Sequence, residues 1–345
     1  MKKLSIALAL VLVVALAAPA MAIEYTGGFL EVENVHNMDS SKDSGTGYDM
    51  YLTLEDQVDD QTSFYALLRV DQNFGNDDGA DSNEFLRKGW VNIENVAGPL
   101  ALRVGRMDEA AAGNYLYDME LKYEFARLAA DLGNLSFKAG HNLDDTKSDN
   151  KTTGNDKVIF FEAKATDLGL VNGVTLNYVE DGDDYDGYSI AFNKNHDSFT
   201  ADLVYGDVDV SNTSADLLDV KLATDKLFPG ITASVEYADV EEEFVVGGKF
   251  QDDSVLADTN LTGKDDVEMI KPAVNFDLTD KLNVNFAYAM YEADNLVNDG
   301  HDYLDLTFAY DLTEKTLLEV EYEDNDYDDD ADDNETLSTT LTAYF

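Results

Sequence analysis

The stretch Leu282-Asn283-Val284-Asn285-Phe286-Ala287-Tyr288-Ala289-Met290-Tyr291-Glu292 decides how this chain folds. Leu282, Val284, Phe286, Tyr288 and Met290 fall on one side of a period of two, with Asn283, Asn285, Ala287 and Ala289 on the other. That period is the side-chain alternation of an extended strand with one apolar and one polar face. The next segment repeats it: Leu304, Leu306, Phe308 and Tyr310 alternate with Tyr303, Asp305 and Thr307. Toward the N-terminus, Tyr48, Met50, Leu52 and Leu54 alternate with Asp49, Tyr51, Thr53 and Glu55. Phe64, Ala66, Leu68 and Val70 likewise alternate with Ser63, Tyr65, Arg69 and Asp71.

Extended along the chain, the rhythm predicts strands near 24–33, 47–55, 62–71, 84–94, 99–106, 118–127, 134–142, 156–165 and 172–181. It continues with 186–194, 198–206, 216–224, 231–240, 267–277, 282–292, 302–311, 316–324 and 336–345. The alternation is weakest around 118–127 and 186–194. Pro272 falls inside 267–277, where it removes a ladder hydrogen bond and either weakens the strand or marks a bulge. Segments of roughly 10 residues suit a wall that crosses a bilayer. A soluble sandwich shows the same alternation, but the connections discriminate. Asp56–Gln61, Asn95–Gly98, Asn195–Asp197, Leu278–Lys281 and Leu312–Lys315 are compact. Between them lie longer, acidic connections: Asn34–Thr46, Gln72–Asn83, Leu143–Asn155, Glu241–Asp266 and Asn325–Glu335. Short turns at one rim and long loops at the other mark a transmembrane β-barrel. The expected fold is therefore all-β: a transmembrane antiparallel β-barrel of about 18 strands, or 16 if one hairpin is misassigned. Both termini should lie at the short-turn rim.

The first 22 residues form a separate unit. Lys2 and Lys3 precede an apolar run from Leu4 to Ala18, and Ala20-Met21-Ala22 supplies a small-residue cleavage site. This is the three-part pattern of a secretory signal peptide, so residues 1–22 are expected to be removed and 23–345 to form one barrel domain. The chain has no cysteine, and no later segment is apolar enough for a membrane helix. Its net charge is −48, and losing the two leader lysines makes the mature chain more negative still. Such a surface repels nucleic acid, which is excluded as a partner. Acidic chains are often disordered, but 19 Tyr and 17 Phe spread along the sequence argue for a folded wall.

Two stretches carry a family resemblance. The last strand places Leu337, Thr339, Leu341, Ala343 and Phe345 on one face, and Phe345 is the last residue. Upstream, Trp90-Val91-Asn92-Ile93-Glu94-Asn95 precedes Gly98-Pro99-Leu100-Ala101-Leu102-Arg103-Val104-Gly105-Arg106. Together they resemble the general Gram-negative porin family. The resemblance implies placement in the cell outer membrane against its lipid, and a C-terminal Phe presented to the barrel-insertion machinery. It also implies homotrimers, and a loop after the Gly-Arg pair that folds into the pore. Here that loop would be Met107–Tyr117, shorter than is usual in the family, with Asp108 and Glu109 near its start.

The placement of basic residues suggests a site. Every Arg lies between positions 69 and 127: Arg69, Arg87, Arg103, Arg106 and Arg127. On the strand phases above, Arg69, Lys88, Arg103, Lys122 and Lys138 share the polar face of consecutive strands. In a wide barrel that face meets water, so these residues are expected to line one wall of a pore, with Asp108 and Glu109 facing them. The alternative is that they only neutralise acidic neighbours. The run Asp324, Asp326, Asp328, Asp330, Asp332 and Glu335 copies much of a calcium-loop spacing. It has Asp329 where the loop needs Gly, so only loose association of Ca²⁺ or Mg²⁺ with the acidic loops is expected, and no cofactor. His36, His141, His196 and His301 are widely spaced without a nucleophile motif, so no enzyme activity is expected. The expected function is a water-filled, cation-preferring channel for passive diffusion of small hydrophilic solutes. The alternatives are a channel selective for an anionic or sugar solute held at the basic wall, and a structural outer-membrane barrel.

Overall fold

The computed structural model describes residues 24–38, 44–74, 86–107, 110–111, 117–118, 124–143, 158–181, 185–210, 213–241, 266–293, 300–327 and 334–345. The expected signal peptide lies outside them. The strands in chain order begin with β1 Glu24–Asn37, β2 Gly45–Gln57, β3 Thr62–Phe74, β4 Leu86–Ala97 and β5 Leu100–Arg106. Next comes a two-residue pair, β6 Ala110–Ala111 and β7 Tyr117–Asp118. The wall resumes with β8 Glu124–Asp131, β9 Leu135–Asn142, β10 Val158–Thr166, β11 Gly173–Asp181, β12 Tyr185–His196 and β13 Phe199–Val210. It finishes with β14 Thr213–Phe228, β15 Ile231–Val240, β16 Val267–Thr279, β17 Leu282–Ala293, β18 Gly300–Thr313, β19 Thr316–Tyr327 and β20 Asn334–Tyr344.

Each wall strand pairs antiparallel with the next, β5 pairing with β8 past the short pair, in one sheet of 18 strands. The ring closes where β1 meets β20, from Phe29↔Tyr344 to Asn37↔Thr336. Just below, the Gly28 and Phe345 backbones exchange hydrogen bonds of 3.2 and 3.1 Å. The first described strand therefore starts, and the last one finishes, at the rim of short turns. No helix is present among the described residues. The expected strand count, order and rim asymmetry are all found.

The ladders fix which residues share a face. Arg69–Asp49, Lys138–Glu162 and Lys221–Glu236 are ion pairs on one face of the wall. The opposite face carries the large exposed hydrophobics, among them Leu30, Val104, Leu176, Phe286, Phe308 and Leu341. Charges line the lumen and apolar side chains meet lipid, as a membrane barrel requires. Leu52, Phe64, Leu102 and Leu306 follow the lipid-facing phase through their partners Leu68, Val91, Leu128 and Phe286.

Two local expectations change. The strand expected at 118–127 runs instead from Glu124 to Asp131. Phe125, Arg127 and Ala129 pair with lumenal Gly105, Arg103 and Ala101, so the odd-numbered positions face inward there. That parity is opposite to the phase that placed Lys122 inward, and Lys122 itself lies outside the described residues. The connection after β5 accordingly runs to residue 123 rather than stopping at Tyr117. Pro272 sits in an intact strand: β16 keeps a continuous register with β15, including Val235↔Pro272. On the β17 side the ladder omits Lys271 and Pro272 and resumes at Ala273↔Ala287 without slipping. A missing N–H at one rung is tolerated because the flanking rungs hold the register.

Gly105 is a point where the fold needs a missing side chain. Its φ is +139°, and a Cβ there would lie 2.2 Å from the Gly89 carbonyl oxygen and 2.7 Å from the Trp90 Cα. Gly105→Ala is expected to splay β4 from β5 and cost about 1–3 kcal/mol. The check is the temperature at which the folded band on unheated gels converts to the denatured one. A transition unchanged from the parent would show that the close approach is not required.

Candidate functional site

The basic residues gather on the inner face of β3, β4, β5, β8 and β9. Arg69 is held first. Its Nη2 donates to Asp49 Oδ2 at 2.6 Å and its Nε to Asp49 Oδ1 at 3.2 Å. Its guanidinium also lies 5.5 Å from the centre of the Tyr51 ring, which stacks on Phe29 at 4.5 Å. A two-point bond fixes a planar cation better than a single contact does. The half-exposed setting keeps the net value of the pair on the order of 1 kcal/mol. Lys88 stands opposite Leu67, where the β3–β4 ladder shifts by one residue. Arg87, in that irregularity, acts electrostatically on Tyr51.

The next rung is the most organised. Tyr65 and Trp90 pair across β3 and β4 and stack at 5.2 Å with planes 10° apart. The Arg103 guanidinium lies 3.8 Å from the Trp90 ring centre, and its Nε donates to Asn92 Oδ1 at 3.4 Å. Asn92 in turn donates to Glu94 at 2.6 Å. Across the β5–β8 ladder Arg103 faces Arg127. Directly opposed side chains start about 5 Å apart, so two like charges meet here. Lys138, on β9, is paired with Glu162 at 3.1 Å. Thus Arg69, Lys88, Arg103 and Lys138 lie on one face of the wall. Arg127 completes the run in the place assigned to Lys122. It was overlooked because the strand carrying it starts at Glu124 rather than at 118. Arg106 faces outward, across from Gly89 and Glu124.

An acidic run flanks the basic one. On the inner faces of β18, β19 and β1 stand Asp305, then Glu319, Glu321 and Glu323, then Glu31 and Glu33. Hydroxyls serve these carboxylates: Tyr303 donates to Glu323 at 2.9 Å, Thr336 to Glu323 at 3.0 Å and Ser338 to Glu321 at 3.4 Å. The two runs meet at β2, where Asp49 takes Arg69.

Asp108 and Glu109 lie outside the described residues. Ala110–Ala111 lies near β11. Lumenal Phe125, Phe160 and Val179 are buried, with Phe125 and Phe160 meeting edge-on at 6.0 Å. Among the described residues no group of three or more His, Asp or Glu converges as metal ligands. The acidic run at 328–333 lies outside the described residues.

Trp90 is the chain's one tryptophan and reports on this wall. Its emission is expected to be quenched by aqueous iodide and left unchanged by brominated lipid. Arg103→Ala should shift the emission by removing the cation over the ring. Quenching by brominated lipid instead would reverse the assigned faces.

Comparison with known proteins agrees with this architecture. A family profile described as Gram-negative porin matches residues 7–330. No curated relative matches by sequence. Among solved structures, Pseudomonas aeruginosa OpdK crystallised with vanillate has a TM-score of 0.70 at 11% identity, covering 92% of this chain and 98% of that one. Pseudomonas aeruginosa OccK8 (OprE) gives the same values. A BenF-like porin from Pseudomonas fluorescens Pf-5 gives 0.67 at 11% identity, covering 92% and 97%. At that identity these likenesses bear on the fold alone; the family rests on the match along most of the sequence. With a closed wall and a charged lumen, the chain is a non-enzymatic channel of the outer membrane and belongs to the Gram-negative porins.

Proposed function

We propose that this porin is a water-filled channel for passive diffusion of small hydrophilic solutes and that it prefers cations. The observation that carries the preference is the acidic run of Asp305, Glu319, Glu321, Glu323, Glu31 and Glu33, which accepts hydrogen bonds from hydroxyls and, at Asp305, also from the Asn285 amide. Carboxylates along a pore raise the local cation concentration and lower that of anions. The remaining inner charges are more evenly matched, as in Lys138–Glu162 and Lys221–Glu236. The Debye length is about 8 Å at physiological salt, so charges on the lumen wall outweigh those on distant loops.

A second reading has its own support. Arg103 lies over the Trp90 ring of the Tyr65–Trp90 stack and is paired across the ladder with Arg127, so one guanidinium adjoins an aromatic face and a second cation stands on the next strand. A planar anion could bridge the two cations beside the stack, and OpdK was crystallised with vanillate. On this reading a carboxylate solute is retained on the basic wall while inorganic cations pass along the acidic one.

The deciding measurement is the reversal potential across planar bilayers under a KCl gradient. The parent should be cation-selective, more so at low salt. Replacing Glu319, Glu321 and Glu323 with Gln should reduce that selectivity, as should neutralising Asp108 and Glu109. Arg103→Ala or Arg69→Ala should increase it. An anion-selective parent would refute the cation preference. Current block by an aromatic carboxylate that Arg127→Ala abolishes would establish the second reading; absence of block would remove it.

A further inference from the structure

The short-turn rim carries a cleft away from the two charged sectors of the lumen. It has a volume of about 640 Å³ and lies between the β12–β13 turn and the β14–β15 hairpin. Strand lengths create it. β14 runs on to Phe228, past its last rung with β13 at Thr200↔Ala223, so the hairpin projects beyond the neighbouring turn. The Thr224 hydroxyl donates to the Ser198 carbonyl at 2.6 Å and ties that turn to the base of the hairpin.

The lining combines an aromatic face with both signs of charge. His196 and Phe199 pair across β12 and β13, and their rings stack at 5.2 Å with planes 24° apart. Both continue the lipid-facing phase of Phe192 and Leu203. The Ser198 N–H donates to His196 Nδ1 at 3.4 Å, which assigns the ring proton to Nε2 as a donor. Lys226 brings an ammonium, 3.1 Å from Asp225, and Asp197 brings a second carboxylate. On the same hairpin Leu227 and Phe228 are 61% and 64% exposed.

Their depth gives these groups a common meaning. The short turns of an outer-membrane barrel lie on the periplasmic side, where the outer wall meets a leaflet of phospholipid. Apolar side chains as open as Leu227 and Phe228 are costly in water and stable against acyl chains. Beside them, an ammonium and an imidazole N–H suit a phosphate, and two carboxylates suit an amine. An anionic headgroup would meet two carboxylates against one lysine. We propose that this cleft holds one zwitterionic phospholipid of the periplasmic leaflet. Lys226 and His196 take its phosphate, Asp197 and Asp225 its ammonium, and Phe199, Leu227 and Phe228 its chains.

Native mass spectrometry of the porin, delipidated in detergent and then given defined lipids, tests this. One phosphatidylethanolamine per chain is expected to be retained, with phosphatidylglycerol held about tenfold more weakly. Lys226→Glu should lose the bound lipid. Asp197→Asn with Asp225→Asn should let phosphatidylglycerol bind as well as phosphatidylethanolamine. Lys281→Glu and Lys315→Glu, which change charge on other turns, should leave retention at the parent level. Each variant is first checked for the heat-modifiable folded band and for parental single-channel conductance. No retained lipid, equal retention of both lipids by the parent, or a lipid that survives Lys226→Glu would overturn the proposal. Glycerophosphoethanolamine retained as well as the intact lipid would assign the cleft to a soluble phosphate ester instead. A muropeptide bound in place of lipid would assign it to the cell wall, and either result overturns the lipid site.

Discussion

Everything in this structure depends on the pairing of the first strand with the last. In hydrocarbon no water satisfies a backbone N–H or C=O, and each one left open costs several kcal/mol. An open sheet of this width would expose two such edges. The rungs from Phe29↔Tyr344 to Asn37↔Thr336, with the Gly28–Phe345 exchange beneath them, remove both. Closure also propagates register. Each strand fixes which residues of its neighbour face inward, and a slip of one residue would send lumenal charges into lipid. The inner phase can be followed from Glu31 through Asp49, Tyr51 and Arg69 round to Thr342 without contradiction.

Closure gives the lumen its electrostatic pattern. Charges far apart in sequence become neighbours because β20 lies beside β1. Glu319 and Glu321 stand two strands from Glu31 and Glu33, and Asp49 joins them to Arg69. The two runs are adjacent sectors of one wall, rather than opposite poles. A solute passing through can keep a cationic part over the acidic sector and an anionic part over the basic one.

The wall does more than enclose water. Gly105 allows β4 and β5 to approach closely where Trp90 and Arg103 stack, so a backbone constraint sets the geometry of an aromatic-cation contact. Pro272 shows the opposite tolerance, since a lost donor within a continuous ladder disturbs only its own rung. On the outside, the same alternation that presents leucine and phenylalanine to lipid presents tyrosine and carboxylate near the rim on one part of the ring.

The sequence by itself determined the fold, because a period of two is a local property and a wall with lipid on one side and water on the other imposes it on every strand. From that alternation alone the strand number and the short-turn rim were legible. The strand that carries Arg127 was not, because alternation is weak around 118–127 and the strand there runs from Glu124 to Asp131. The acidic sector was equally hidden. With 71 Asp and Glu in the chain, no spacing distinguishes Glu31 or Glu321 from the rest. Only the tertiary structure decided which carboxylates gather, because their proximity depends on the closing seam between β20 and β1, and that contact joins the two ends of the chain.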